Sequence, residues 1–337
     1  MKLYGGIDLH SNNCVMVLLD EQDQGVYQKR LNNDLEHIVG ELEPYQDSIE
    51  GLVVESTFNW YWLVDGLMEA GYKVHLANTA AIQQYAGLKY TDDHHDARWL
   101  AHLLRLGVLP EGYIYPKEDR AVRDLLRKRS QLVQHRTSHV LSVQNLMARN
   151  TGRRLSGNEV KRLDFEALEQ LFSELQAVAA GSSLAVVRTL EDLIEVLEQE
   201  VLAKARLKPA FKALLSVPGV GKVLALTIML ETGDIARFPQ VGNDASYCRC
   251  VGSEHLSNGK RKGRGNTKNG NRYLAWAFTE AAHHALRYYA PIKRFYQRKS
   301  AKTHPMVGRK AVARKLARAC YYVLRDQVSF DMHKAFS

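Results

Sequence analysis

Three apolar β runs fall within the first 31 residues, and their spacing leaves one way to arrange them. Leu3-Tyr4-Gly5-Gly6-Ile7-Asp8-Leu9 is the first, Val15-Met16-Val17-Leu18-Leu19 lies within the second, and Val26 to Leu31 forms the third. The intervening Glu21-Gln22-Asp23-Gln24-Gly25 is turn chemistry. Connections this short join antiparallel neighbours, because a parallel pair needs a crossover of a dozen or more residues. A helical stretch over Leu35 to Leu42 follows, then a strand Gly51 to Glu55 and a helix near Trp60 to Ala70. A short strand Tyr72 to Leu76 and helices from Thr79 and from His94 complete the region.

An antiparallel meander of three, then alternating helix and strand, is the ribonuclease-H-like order, assigned here to residues 1–110. Pro110 and Pro116 bracket a linker. Glu118 to Asn150 reads as one long polar helix with Leu125, Leu132, Leu141 and Leu146 among its apolar positions. Asp164 to Leu207 reads as a second, acidic helical region broken near Gly181-Ser182-Ser183. Two long helices with a polar connection suggest an antiparallel coiled-coil arm over 111–207, serving dimerisation, contact with nucleic acid or simple spacing. Residues 208–337 read as mainly α, with a helix-hairpin-helix-like segment at Pro218-Gly219-Val220-Gly221-Lys222 and a Gly-, Lys- and Arg-rich loop after it. The fold class is therefore α/β plus α.

Charge locates a partner. From Asn258 to Ser337 there are 19 Lys and Arg against three acids, a net +16, so the rest of a chain whose total is +9 carries −7. A basic segment this free of acids points to a polyanion, and nucleic acid is the reading adopted. With 45% hydrophobic and 25% charged residues the chain is neither disordered nor fibrous. No stretch approaches the roughly 18 apolar residues of a membrane span, and four scattered cysteines (Cys14, Cys248, Cys250, Cys320) suit reduced thiols. A cytoplasmic, nucleoid-associated protein is expected, with no membrane partner.

Four acids fit one site. Asp8 ends the first strand and Glu55 the fourth, each after an apolar run, and in this strand order those two strands are neighbours. Asp93 and Asp96 stand i, i+3 at a helix start and share a face, although Asp92 leaves the register open. Four converging carboxylates suit Mg²⁺ or Mn²⁺, and two such ions about 4 Å apart support in-line phosphoryl displacement. Taken singly, each acid is as well read as a turn or cap residue.

Gly6-Ile7-Asp8, Val54-Glu55-Ser56-Thr57 and Asp93-His94-His95-Asp96-Ala97 resemble the Asp-Glu-Asp-Asp pattern of the insertion-sequence transposases that carry a RuvC-like domain, the bridge-RNA-guided recombinases. Arg129 to Thr137 resembles the helical segment that follows it there, and the similarity continues to about Leu274. The resemblance implies cutting and rejoining of element-end and target DNA through a phosphoserine link, guidance by a non-coding RNA, and a homo-oligomer (dimer or tetramer). It places the nucleophile at Ser257, with Ser253 a rival. Here Asn258 stands where the family has glycine, and Arg249-Cys250-Val251-Gly252 where it has Gly-Leu-x-Pro.

Lys260, Arg261, Lys262, Arg264, Lys268 and Arg272 would hold nucleic acid, Lys260 and Arg261 also helping to activate the serine. Gly219, Gly221 and Lys222 could cradle a phosphate at a helix start, or the glycines could simply allow a tight helix connection. A junction-resolving nuclease that uses water, and an actin-like domain fused to a nucleic-acid-binding tail, are the alternative readings. The Cys248-x-Cys250 pair is read as packing rather than zinc. Tyr288, Tyr289, Phe295, Tyr296, Tyr321 and Tyr322 are read as core at helical spacing.

Overall fold

The computed structural model describes residues 1–82, 92–205, 208–252, 256–262 and 269–336. They fall into two compact units, Met1–Lys117 and Glu118–Ser337.

The first unit is built on strands β1 (Leu3–Leu9), β2 (Asn13–Leu19), β3 (Gly25–Asn32), β4 (Ile49–Glu55) and β5 (Val74–Ala77), with helices α1 (Leu35–Leu42), α2 (Tyr61–Glu69) and α3 (Asp93–Arg105). The sheet order is β3-β2-β1-β4-β5. β1, β2 and β3 are antiparallel, and β4 and β5 run parallel to β1. The meander is the one expected from the turn spacing, and the β1–β4 adjacency the one expected from the ribonuclease-H-like strand order. Side chains alternate across the pleat: Leu3, Ile7, Leu9, Met16, Leu18, Leu52 and Val54 pack with α1 and α2 residues such as Ile38, Leu63 and Leu67. On the other face Val15, Val17 and Leu19 meet Ala97 and Ala101 of α3. Both faces are covered, which is why these strands read as almost continuous apolar runs. The helix expected from Thr79 is a 3-10 turn, Thr79–Ala81, in its described part; residues 83–91 lie outside the described residues.

The second unit is mainly helical: α4 (Lys117–Thr151), α5 (Gly157–Arg162), α6 (Phe165–Leu171), α7 (Glu174–Ala205), α8 (Pro209–Leu214), α9 (Lys222–Thr232) and α10 (Val241–Tyr247), then a two-stranded hairpin β6 (Leu256–Ser257) and β7 (Lys260–Arg261), and α11 (Arg272–Tyr288), α12 (Ala290–Lys302), α13 (Pro305–Asp326) and α14 (Met332–Phe336). α4 and α7 pack antiparallel: Arg129 pairs with Glu198 at 2.6 Å, and seven residues on Arg136 pairs with Glu191, seven residues back. Leu132, Leu190 and Ile194 form the seam between them.

α7 is not broken at Gly181-Ser182-Ser183. Gly181 lies against the Phe165 ring of α6, where a larger residue would crowd, and the Ser182 hydroxyl donates to the Val178 carbonyl at 2.9 Å within the helix. The break falls earlier, between α6 and α7. A large apolar core joins α8, α9, α11 and α13, and takes in the thiols of Cys248, Cys250 and Cys320. Burial raises all three thiols far above the range in which they ionise, consistent with packing. No helix among the described residues is long and apolar enough to cross a membrane.

Candidate active site

Two backbone features bring acids together in the first unit. β1 and β4 are parallel neighbours, Ile7 opposite Val54, so Asp8 and Glu55 leave the same end of the sheet. Both point to the face that α3 covers. α3 lies close because position 6 is glycine: a Cβ there would overlap the Ala97 carbonyl oxygen and the Ala101 nitrogen. The helix starts at Asp93 because Asp92 is its N-cap, its carboxylate accepting from the His95 N–H at 2.8 Å. That settles the register and turns Asp96 toward the strand ends.

Asp8 is 3% exposed. Glu55 shares a hydrogen bond with it. Burial first, then that hydrogen bond and the charges of Asp8 and Asp96, pushes the Glu55 carboxyl up to about 7. Burial and the Asp8 charge also raise Asp96. Like charges crowded in a half-buried place disfavour full ionisation, and a cation among them would remove that cost. A cleft of about 280 Å³, walled by Trp99, Leu100, Ile82 and Thr79, opens onto Glu55 and Asp96.

Asp93 takes a different direction. Its Oδ2 accepts from the Arg30 guanidinium at 2.5 Å and lies 3.2 Å from His10 Nε2. The Arg30 hydrogen bond, ahead of His10, holds Asp93 below the usual carboxylate range. His10 Nε2 is also 3.5 Å from Asp8 Oδ2, and one donor atom each of Asp8, His10 and Asp93 lie within 4.8 Å of one another. The four acids thus divide into Asp8–Glu55–Asp96 and Asp8–His10–Asp93, with Asp8 common to both. Hard oxygens with one imidazole fit Mg²⁺ or Mn²⁺.

Sequence reasoning missed His10 and Arg30. His10 is two residues after Asp8, hence on the same face, a signal that was available. Arg30 is reachable only through the β2–β3 register, where it stands opposite Val15, itself opposite Asp8. The His10 carbonyl accepts from Asn59 Nδ2 at 2.9 Å and Asn33 Nδ2 at 3.1 Å, which fixes the strand end that carries the site.

The remaining expected residues lie in the second unit. Ser257 is exposed at the end of β6, and Lys260 begins β7 opposite it. Between them Asn258 (φ 49°) and Gly259 (φ 69°) form a turn with both central residues left-handed, the conformation Asn-Gly favours. What composition suggested was a loop is therefore, from 256 to 261, a hairpin. Asn258 in place of the family glycine suits this position, since both residues tolerate it.

Lys262 is exposed, and only the backbone of Arg261 is described; Ser253, Arg264 and Lys268 lie outside the described residues. Arg272 donates to the Tyr273 hydroxyl at 3.0 Å. The segment is pinned where it re-enters the fold: Asn271 caps α11 and donates to Glu231 Oε2 at 2.7 Å, while Arg127 grips Glu231 with two bonds of 2.6 and 2.7 Å. Gly219 (φ 79°) packs on α11, where a Cβ would overlap the Ala281 carbonyl oxygen. The requirement for glycine there is close packing rather than approach to a phosphate. Gly221 is the N-cap of α9 with open space beside it, and Lys222, the first residue of that helix, is exposed.

An α/β sheet of this order with carboxylates converging at the ends of its central parallel strands, in a chain with a helical, basic second unit, defines a DEDD nuclease-like protein. A transposase family model of the DEDD IS110 type matches residues 5–151, and one described as Transposase IS116/IS110/IS902 family matches residues 211–297. The chain is 25% identical over 224 residues to the transposase-family protein y4qE of Sinorhizobium fredii, covering 66% of this chain and 55% of that relative. It is 26% identical over 245 residues to a family 20 transposase-type protein of Pseudomonas aeruginosa, covering 67% and 68%. The chain belongs to the insertion-sequence transposases. It spans little more than half the length of the first of these relatives.

Proposed function

We propose that this protein cuts and rejoins DNA for an insertion sequence, using a divalent cation and a serine nucleophile. The observation that carries the reading is the meeting of Asp8, Glu55 and Asp96 beside a small cleft, with Glu55 held near 7 by burial and its acidic neighbours. Asp8, Glu55, Asp96 and, through the shared Asp8, Asp93 would hold the cation. When bound, Mg²⁺ or Mn²⁺ would draw electron density from the scissile phosphate and lower the barrier to attack on it.

The protein's own groups do the rest. The buried Asp8 gives a fixed anchor, and Trp99 and Leu100 limit water at the cleft. Ser257 Oγ bonds to phosphorus as a bridging P–O bond breaks, its proton passing to solvent or a nearby base, and the displaced strand end departs with the electron pair. Lys260, opposite Ser257 on the hairpin, offsets charge developing on the phosphate. The family similarity extends the proposal to a guide RNA and a dimer or tetramer.

The test is a denaturing gel for a covalent protein–DNA adduct, formed with element-end DNA, RNA transcribed from the flanking non-coding region, and Mg²⁺. Wild type should form a metal-dependent adduct. Ser257→Ala and Asp8→Asn should both lose it while retaining nucleic-acid binding. Cleavage without an adduct that survives Ser257→Ala but not Asp8→Asn would overturn the serine step and establish water as the nucleophile.

A further inference from the structure

A second concave, charged surface lies wholly within the second unit, and apart from Phe295 its lining residues lie beyond those that either family model matches. α12, α13, α14 and the segment joining the last two enclose a cleft of about 1010 Å³. Its lining has six cations (Lys299, Arg314, Lys315, Arg318, Arg325 and Lys334) against two acids. Both acids are already engaged. Asp326 pairs with Arg325 at 2.7 Å, and Asp331 accepts from the His333 and Lys334 backbone N–H groups at 2.9 and 3.1 Å. Among the described residues, no ion pair holds Lys299, Arg314 or Arg318.

The arrangement is not a scattered basic face. Arg314, Arg318 and Tyr322 follow one another at i, i+4 and i+8, a single ridge of α13 with cations about 6 Å apart along the axis, running into an aromatic ring. Lys315 fixes the floor. Its ammonium donates to the Ala335 carbonyl at 2.6 Å and sits 4.8 and 5.3 Å from the centres of the Phe295 and Phe336 rings. Burial, then the charges of Arg298, Arg318 and Lys299, lowers its affinity for its proton, as expected where positive charge is concentrated without a counterion. Tyr322 is 39% exposed, as is Tyr289, and Tyr288 is 76% exposed, unlike the buried Phe295 and Tyr321 of the same aromatic series, so for these three tyrosines the core reading fails.

We propose that this cleft holds a few nucleotides of an unpaired nucleic-acid strand, its phosphates on Lys299, Arg314 and Arg318 and a base against Tyr322. The volume is that of a small-ligand pocket, not of a surface that could seat a duplex. Aromatic and cationic side chains side by side are the means by which proteins hold strands whose base faces are free, and in a duplex those faces are stacked away. RNA and DNA strands share this chemistry. The inference deepens the function proposed above and rests on it for the presence of nucleic acid.

The test is fluorescence anisotropy of the full chain with short labelled single-stranded RNA, single-stranded DNA and a duplex of the same sequence, over a salt series. Replacing Arg314→Gln and Arg318→Gln together should weaken single-strand binding and flatten the log–log salt slope by about 1.4, roughly 0.7 for each lost phosphate contact. Lys299→Gln, on a different helix, should flatten it by about 0.7. Tyr322→Ala should weaken binding about 5- to 150-fold, the range for loss of one stacked base, and Tyr322→Phe should leave it intact. An effect on RNA alone, on DNA alone or on both supports the proposal and identifies the strand. Unchanged salt slopes, or equal loss on the duplex, would overturn it. A wild type that cleaves DNA while the cleft variants bind normally removes this inference alone. Single-strand binding that depends on the cleft, without any adduct or cleavage, removes the enzymatic reading and leaves the cleft standing.

Discussion

Glu55→Gln should make the protein more stable and less able to hold metal, and the size of the gain follows from the site. The Glu55 carboxyl is raised from 4.5 to about 7 by burial, by its hydrogen bond with Asp8 and by the charges of Asp8 and Asp96. Below 4.5 folded and unfolded chains both keep the proton, so its stabilising contribution is fully present. As pH rises through 4.5 the unfolded chain ionises freely, while the folded chain either retains the proton or ionises beside two acids, and that stability is lost by about pH 7. A gap of about 2.5 units at 1.36 kcal/mol each sets a ceiling of about 3.4 kcal/mol. Solvent at a partly exposed carboxyl screens this to about 1–2 kcal/mol. Glutamine keeps the shape and never ionises. In EDTA at pH 8 the variant should unfold about 3–8 °C above wild type, and the difference should shrink toward zero at pH 4.5. Mn²⁺ should raise the midpoint of wild type more than that of the variant, since a ligand that binds only the folded state stabilises in proportion to its affinity. A variant with no advantage at pH 8, or the same advantage at both pH values, would refute the crowding of these three acids.

Two further outcomes follow from the packing. Gly6→Ala should destabilise the first unit by about 2–4 kcal/mol, because α3 must shift outward or the strand must bend, and isothermal titration should show weaker Mn²⁺ binding as Asp96 moves from Asp8; wild-type stability with full metal affinity would refute the close approach. Glu231→Gln should cost the second unit about 2–4 kcal/mol in denaturant unfolding, because Arg127 and Asn271 both direct donors at a side chain that is 1% exposed; a loss under about 0.5 kcal/mol would show that the grip of Arg127 is dispensable.

The parts of the fold that were legible in the sequence rest on short-range constraints. Three strands joined by brief turns had to form a meander, and apolar runs ending in Asp8 and Glu55 placed both acids at strand ends. What escaped needed knowledge of register. Asp93 and Asp96 share a helical spacing, yet Arg30 on β3, 63 residues earlier in the chain but close in the fold, takes Asp93 aside. Composition misled in two places. Gly181 with two serines looked like a helix break, but in α7 glycine is tolerated because Phe165 packs there, and Ser182 bonds within its own helix. The Gly- and Lys-rich stretch after Ser257 looked unstructured, although Asn258-Gly259 is itself a hairpin signal that the surrounding charge obscured. Tyr322 shows the opposite error: its helical spacing matched that of buried neighbours, and only the position of α14 decides which side of α13 faces the cleft.

The two units use the same packing device, and in each it serves the residues of functional interest. In the first, Gly6 of β1 admits Ala97 and Ala101, one helical turn apart on α3; in the second, Gly219 admits Ala281 and Ala285, one turn apart on α11. A helix whose face is alanine at i and i+4 can bring its backbone onto another chain segment only where that segment lacks a Cβ. α3 carries Asp96 at its start, immediately before the first of its alanines. α11 starts at Arg272, capped by the Asn271 that closes the basic stretch. The glycine thus sets how closely each helix packs on the segment beside it. It also explains why Gly219, in a motif that invites a phosphate reading, is better understood as a spacer: its left-handed backbone and the Ala281 carbonyl both exclude a side chain, whatever binds at Gly221 and Lys222 two and three residues later.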